Sequence, residues 1–209
     1  SFHHRLELAT WFFLCSDGEI MSTATRPTIS PWPTCALCGL GAYITTLDLS
    51  IVNVAFPEIL RDFGVSRADA SWIVTAYNIC FAGLLIVSGK LADQLGRRRM
   101  FLLGVAVFGV GSLVCALAPG LWSLVVGRIV QGIGGALLSP ASLGLLLAAF
   151  PPEKRTSVVS MFGGIGALGV ASGPSLGAVL ITATDWRAAF WVSVPVCAAV
   201  LFAGFRILP

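Results

Sequence analysis

The chain has 209 residues, 56% hydrophobic and only 11% charged, with a mean hydropathy of +0.90 and a formal net charge of +3. Soluble domains carry about 25% charged residues, so this chain has too few charges to cover a surface facing water on all sides. Its basic residues border apolar runs and form no soluble basic face, which excludes a nucleic-acid partner.

Residues 1–34 read as a disordered N-terminal extension. Within it, Trp11–Cys15 is too short and broken for a membrane span and lacks the layout of a secretory signal. Met21, followed by Ser22-Thr23-Ala24-Thr25, has the look of a native start. Residues 1–20, His3 and His4 among them, therefore read as upstream read-through or a cloning remnant. From residue 35 the apolar runs are continuous, and about 20 such residues at 1.5 Å rise cross a bilayer core as a helix. Helices satisfy their own backbone in lipid, whereas a barrel needs alternating strands. Six spans are predicted, at about 35–57, 71–92, 100–118, 121–148, 157–182 and 187–207. Pro57 is expected to close the first, Pro119-Gly120 to turn between the third and fourth, and Pro151-Pro152 to end the fourth.

The fold class that follows is an all-α membrane protein. Orientation is set by Lys and Arg near the span ends. Lys90, Arg97, Arg98, Arg99, Lys154, Arg155, Arg206 and Arg26 fall on one side. Arg61, Arg67 and Arg187 fall on the other, offset by Glu58, Asp62, Asp69 and Asp185. Both termini are thus expected in the cytoplasm, with the chain in the cell membrane. Trp32, Trp72, Trp122 and Trp186 mark span ends, where indoles suit the lipid interface. Dividing the spans three and three at Pro119-Gly120 makes the second triplet run inverted relative to the first, the topology of inverted-repeat transporters.

Charges inside the bilayer cost several kcal/mol and mark function or a partner. Asp48 in span 1 lies about 14 Å from the outer end, and Arg128 in span 4 about 10 Å in from Leu121. Matched depth predicts either a static ion pair pinning two helices or a proton or cation site in a shared aqueous chamber. Thr45 shares a helix face with Asp48, and Gln131 shares one with Arg128. Asn53 reads equally as a packing hydrogen bond or a binding group; Tyr77 and Asn78 read as packing or cavity lining.

In span 5, Gly169, Gly173 and Gly177 recur every four residues, giving a smooth face for close helix approach, and Pro174 is expected to kink the helix. Gly132, Gly134, Gly135 and Ala136 form a second small patch beside Arg128, which no strand precedes, so it is not a dinucleotide loop. Cys35 and Cys38 form a C-x-x-C without the partner set that metal or redox chemistry needs. No cofactor is expected. The loop Gly89–Arg99 is the densest charged stretch, and Asp93 among its bases predicts a specific salt bridge or a helix N-terminus partner.

These residues spell a known family. Gly89, Leu91, Ala92, Asp93, Gly96, Arg97 and Arg98 resemble the signature between helices 2 and 3 of the major facilitator superfamily, G-x-L-a-D-r-x-G-r-k, with Gln94 replacing a common Arg. Leu47–Pro57 resembles the helix 1 motif L-D-x-T-I-V-N-V-A-L-P of its fourteen-helix drug:proton antiporter branch, with Ser50 and Phe56 departing. Arg128–Ala136 is similar to R-x-x-Q-G-x-G-x-A of helix 4. Gly169–Ala178 is similar to G-x-x-x-G-P-x-x-G-G of helix 5, with Ala178 in place of the last Gly. Trp186, Arg187 and Phe190 resemble the W-R-x-x-F before helix 6.

The resemblance implies the N-terminal six-helix bundle of a major facilitator fold. It implies proton and substrate coupling at Asp48, Arg128, Asn53 and Gln131, and a cytoplasmic latch at Gly89, Asp93, Gly96, Arg97 and Arg98 that engages a C-terminal half. It implies an antiporter motif at Gly169, Gly173, Pro174 and Gly177, with Gly173 and Pro174 shaping an interface between halves. The expected function is proton-coupled export of drugs or other hydrophobic or cationic small molecules by alternating access. The partners are a small-molecule substrate, protons, the lipid bilayer and a missing C-terminal half, so the chain reads as a fragment; a homodimer of halves is the other arrangement considered. Export of a metabolite, peptide or siderophore is a rival within the class, and a non-transporting membrane remnant a rival outside it. An intramembrane enzyme would need a Ser/His/Asp set, a metal cluster or paired carboxylates within the spans, and the sequence offers none.

Overall fold

The computed structural model describes residues 31–208. The expectations for residues 1–30, including the extension's disorder, the start at Met21 and the placement of Arg26, lie outside the described residues. The described chain is helical and contains six helices long and apolar enough to cross a membrane. Span 1 is a single helix, Pro31–Phe63; span 2 is Trp72–Leu95, preceded by one turn at Arg67–Ala70. Span 3 is Arg97–Ala116, span 4 Leu121–Ala149 and span 5 Arg155–Ala183; span 6 is a turn at Ala188–Trp191 followed by Ser193–Ile207.

Several boundaries depart from the sequence reading. Helix 1 starts at Pro31, inside the stretch expected to be disordered, and Pro57 does not end it. A proline removes only its own ladder bond; the stop comes seven residues on, where Gly64 takes φ +61°, a region open to glycine without cost. The charged stretch Gly89–Arg99 is no loop. Span 2 runs to Leu95, span 3 begins at Arg97, and Gly96 at φ +97° is the whole connection. Trp32, Trp72 and Trp122 are exposed as interface anchors should be, but Trp186 is 2% exposed. Its indole Nε1 donates to Asp62 Oδ2 at 2.9 Å, and Arg187 Nη1 reaches the same oxygen at 3.2 Å. Trp186 therefore ties the turn before span 6 to the end of span 1.

Packing follows the small residues. Span 3 lies along span 4, span 1 along span 5, and span 2 along span 4. Gly104 and Gly111 of span 3 meet span 4 backbone to backbone: a methyl on Gly111 would fall 2.6 Å from the Gln131 nitrogen, and one on Gly104 would fall 2.7 Å from the Leu138 nitrogen. Gly169 and Gly173 of span 5 close on Thr46 and Ser50, and Gly177 lies on Ile51 and Val54. That smooth face, which the resemblance assigns to a boundary between halves, is thus occupied by span 1 of the same bundle. Pro174 stays exposed, and the span 5 helix continues through it.

Two apolar clusters fill the bundle. One, with Leu37, Phe101, Val105, Leu138, Leu145 and Val200, lies toward the start of span 1. The other, with Ile51, Ile59, Ile73, Leu124 and Phe190, lies toward its end. Asp48 and Arg128 sit between them. Gly104→Ala should force spans 3 and 4 apart and destabilise by about 1–3 kcal/mol, as overpacking does. Gly83→Ala, with nothing within 4 Å of the added carbon, should leave thermal unfolding in detergent unchanged or slightly raised.

Candidate functional site

The site is built where the two central helices meet. The Asp48 and Arg128 side chains are 1% and 0% exposed and form a salt bridge through Arg128 Nη1 and Asp48 Oδ2. Gln131, one turn along span 4, closes the pair into a ring. Its Oε1 accepts from Arg128 Nη1 at 2.9 Å, and its Nε2 donates to Asp48 Oδ1 at 3.1 Å. The second Nε2 hydrogen goes to Ser112 Oγ of span 3 at 2.8 Å. Ser112 in turn donates to the Phe108 carbonyl at 2.9 Å. Cys115 Sγ lies 3.5 Å from Gln131 Oε1.

Span 2 completes the enclosure. Arg128 Nε donates to the Ile73 carbonyl at 3.2 Å. Four residues on, the Tyr77 ring lies under the guanidinium, with Cζ 4.2 Å from its centroid. A cation over an aromatic face in a dry site gains about 2 kcal/mol or more. Two donors remain without partners: Tyr77 Oη and Arg128 Nη2. The small patch next to Arg128 explains how the rings and helices approach so closely. A methyl on Gly132 would fall 2.7 Å from the Tyr77 carbonyl, and one on Gly135 would fall 3.0 Å from Tyr77 Oη.

Tyr77 also borders a cavity of about 160 Å³ lined by Ala42, Thr45, Thr46, Leu49, Phe81, Leu138, Ser139 and Phe162, among others. Thr45 and Thr46 donate to carbonyls of their own helix, so the cavity wall is largely apolar. Asp48 and Arg128 do not reach it. Of the two arrangements considered, an ion pair or a shared aqueous chamber, the pair forms a closed hydrogen-bonded network, and Tyr77 borders both that network and the cavity alongside.

The structure brings Asp48, Arg128 and Gln131 together. It does not bring Asn53 to them: Asn53 is exposed and donates to the Leu49 carbonyl at 3.0 Å. Asn78 is also exposed. Sequence reasoning missed Ser112. The available signal was its position beside Gly111 as one of few polar side chains in an otherwise apolar span. At the other charged region, Asp93 and Arg97 form an exposed salt bridge at 3.0 Å. Arg97 Nη1 also donates to the Gly144 carbonyl at 2.8 Å, and Arg98 Nη2 to the Phe205 carbonyl at 3.1 Å. Gly89 lies on Pro140, with 3.9 Å for an added carbon. Cys35 and Cys38 are buried free thiols, Cys35 Sγ lying 3.9 Å from Met161 Sδ. Among the described residues no group of three His, Cys, Asp or Glu is placed to hold a metal.

A bundle of membrane-length helices with a buried ion pair beside an apolar cavity defines a multi-pass membrane protein of transporter type. Residues 38–209 match the Major Facilitator Superfamily, and the chain belongs to that family of transporters. It is 40% identical over 178 residues to the tetracenomycin C resistance and export protein of Streptomyces glaucescens, covering 85% of this chain and 33% of that protein. It is 41% identical over 165 residues to multidrug resistance protein Stp of Mycobacterium tuberculosis, covering 78% of this chain and 31% of that protein. To the riboflavin transporter RibZ of Clostridioides difficile it is 31% identical over 178 residues, covering 85% and 39%. The chain thus spans about a third of the length of these curated relatives.

Removing one partner of a buried pair leaves the other charge uncompensated, at a cost of about 3–5 kcal/mol. Arg128→Met alone should lower stability by that order in chemical unfolding of the purified protein. Combining it with Asp48→Asn should recover most of the loss. Equal losses for the single and double variants would show that the pair does not hold spans 1 and 4 together.

Proposed function

We propose that the chain is the N-terminal half of a proton-coupled exporter of the fourteen-helix drug:proton antiporter branch, acting on hydrophobic or cationic small molecules. The observation that carries this reading is the Asp48–Arg128–Gln131 ring, buried between two apolar clusters and one aromatic ring away from an apolar cavity. A carboxylate paired with a guanidinium holds a structure together while ionised. Protonation removes that attraction and leaves a neutral acid beside a cation, so the helices that carry them are free to shift. Asp48 is then the proton site, Arg128 its counter-charge, and Gln131 the residue that keeps both in register through either state.

The cavity between spans 1, 2, 4 and 5 supplies one wall of a substrate chamber, and transporter sites of this kind form at the interface of two repeats. A second bundle supplies the opposite wall. Inverted triplets within this half are supported by the packing: span 1 lies on span 5 as span 4 lies on span 2, and these pairs exchange when spans 1–3 map onto 4–6. The two charges also stand on spans 1 and 4, which exchange in the same way. Asp93 and Arg97, with Gly89, Gly96 and Arg98, form the inner latch, their bases on the cytoplasmic side with both termini. Gly173 and Gly177 fix span 5 to span 1, so that Pro174, exposed, faces the second bundle. Residues 35–209 are the transport bundle, and 1–34 an extension to it.

Names of relatives support the substrate class: two carry antibiotic or multidrug resistance in their names. The riboflavin transporter supports the second reading, a metabolite carrier on the same frame. The intact protein, expressed in a drug-sensitive host, should confer resistance to lipophilic antibiotics. Asp48→Asn should abolish that resistance and the proton-driven uptake of drug into acid-loaded inverted vesicles, while detergent-solubilised protein still binds the drug. Uptake at the parental rate in this variant would overturn proton coupling at Asp48. Reporter fusions after residues 96 and 154 should be active on the cytoplasmic side, and one after residue 185 on the outer side; the reverse pattern would invert the orientation.

A further inference from the structure

We propose that Tyr77 is a shutter between the cavity and the proton site, a positioning residue that decides when Asp48 exchanges protons with cavity water. The inference rests on the reading of Asp48 as that site.

The geometry points to this role in three ways. Tyr77 is wholly buried yet borders both compartments: Arg128 lies 4.2 Å from its ring centroid, and Tyr77 is also part of the cavity lining. The Phe81 ring, one turn along span 2 and itself a cavity wall, stacks on it at 5.9 Å and 9°. Arg128, Tyr77 and Phe81 therefore form one column running from the ion pair to the cavity. Finally, no side-chain hydrogen bond holds Tyr77 in that column. Tyr77 Oη and Arg128 Nη2 are buried donors without a partner, and buried polar groups are nearly always satisfied. An orphaned phenol resists closure, whereas the cation–π contact favours it. The two are of similar magnitude, so the closed arrangement is easily left. When the ring swings toward the cavity, its hydroxyl and the guanidinium Nη2 become the two donors that hold water between cavity and Asp48. The carboxylate then takes one proton from that water, the pair loses its negative partner, and Arg128 is released.

The surroundings of Asp48 leave few competitors for this control. Facing it are Arg128 with Gln131 from span 4, Tyr77 from span 2, Ser112 and Cys115 from span 3, and Cys197 from span 6. Span 5 carries no titratable residue between Arg155 and Asp185. Tyr77 alone among these borders the cavity.

The test uses dicyclohexylcarbodiimide on the intact protein in lipid nanodiscs. This apolar reagent adds to a protonated carboxyl with no leaving group, and peptide mass mapping reads the adduct at Asp48, with Glu58 and Asp62 as references. Labelling is followed from about pH 5 to about pH 8, the range in which a tuned carboxyl acid works. Tyr77→Phe keeps the ring but removes the hydroxyl that resists closure and holds water, and should label Asp48 more slowly than the parent. Tyr77→Ala should label Asp48 faster, on the order of tenfold as a local opening is made permanent, with its pH midpoint moved and the references unchanged. Phe81→Ala, which loosens the column without touching Arg128, should fall between. Parental labelling of Asp48 in both alanine variants overturns the shutter, as does Tyr77→Phe labelling as fast as Tyr77→Ala. Faster labelling of Glu58 and Asp62 together with Asp48 marks unfolding, and Phe81→Ala then decides the matter. If Asp48 titrates in no variant, the proton site itself falls; if it titrates identically in all, only the shutter does.

Discussion

A guanidinium and a carboxylate cannot be left apart in a low-dielectric interior, and the architecture is organised around keeping them together. Moving either ion out of water costs several kcal/mol even after relaxation. Mutual attraction offsets that only when the remaining hydrogen-bonding positions are also filled. Gln131 does most of this work, joining Arg128, Asp48 and Ser112. Ile73 and Tyr77 bring span 2 into the same network. Four helices are therefore committed to one point. The glycines that permit this lie immediately around it: Gly111 against Gln131, and Gly132 and Gly135 against Tyr77. Small residues here are less a general membrane habit than the clearance needed for large polar side chains to meet.

Much of this was legible in the sequence because membrane solvation is unforgiving. Continuous apolar runs locate the spans, since no other backbone arrangement suits lipid there. Asp48 and Arg128 stand out because charges at that depth need a reason, and helical rise alone placed them level. Gln131 followed from its spacing of three from Arg128. What stayed hidden depends on tertiary contact. Ser112 is a small hydroxyl whose partner is 19 residues away, and nothing local distinguishes it from a serine bonded only to its own helix. Asn53 stands apart from the ring: one amide N–H bonds its own Leu49 carbonyl, while the exposed side chain keeps a second N–H and its carbonyl oxygen for other partners. Pro57 misled because a proline near a helix end interrupts less than a glycine at positive φ.

The ends of the bundle are fastened by a second kind of interaction, arginine side chains on backbone carbonyls. Arg97 bonds the Gly144 carbonyl in the last two turns of span 4, and Arg98 the Phe205 carbonyl in the last turn of span 6, where carbonyls lack helical partners. At the opposite end, Arg187 Nη2 reaches the Ala118 carbonyl at 3.3 Å while its Nη1 holds Asp62. Both ends are thus stitched by groups that remain charged at any physiological pH. Among the described residues, the one acid–base pair shielded from solvent lies in the middle.

That distribution says where the bundle can change state. Arginine-to-carbonyl contacts do not respond to pH, and the glycines of spans 3 and 5 bring those helices into close contact with spans 4 and 1, respectively. The pairs 1–5 and 2–4 are closely packed, whereas spans 1 and 4 pack less extensively and share the central ring of polar groups. Neutralising Asp48 weakens that one connection and spares the others. On the proposed reading of Asp48 as a proton site, the displacement its neutralisation favours is that of the closely packed span 1–5 pair against spans 2, 3 and 4.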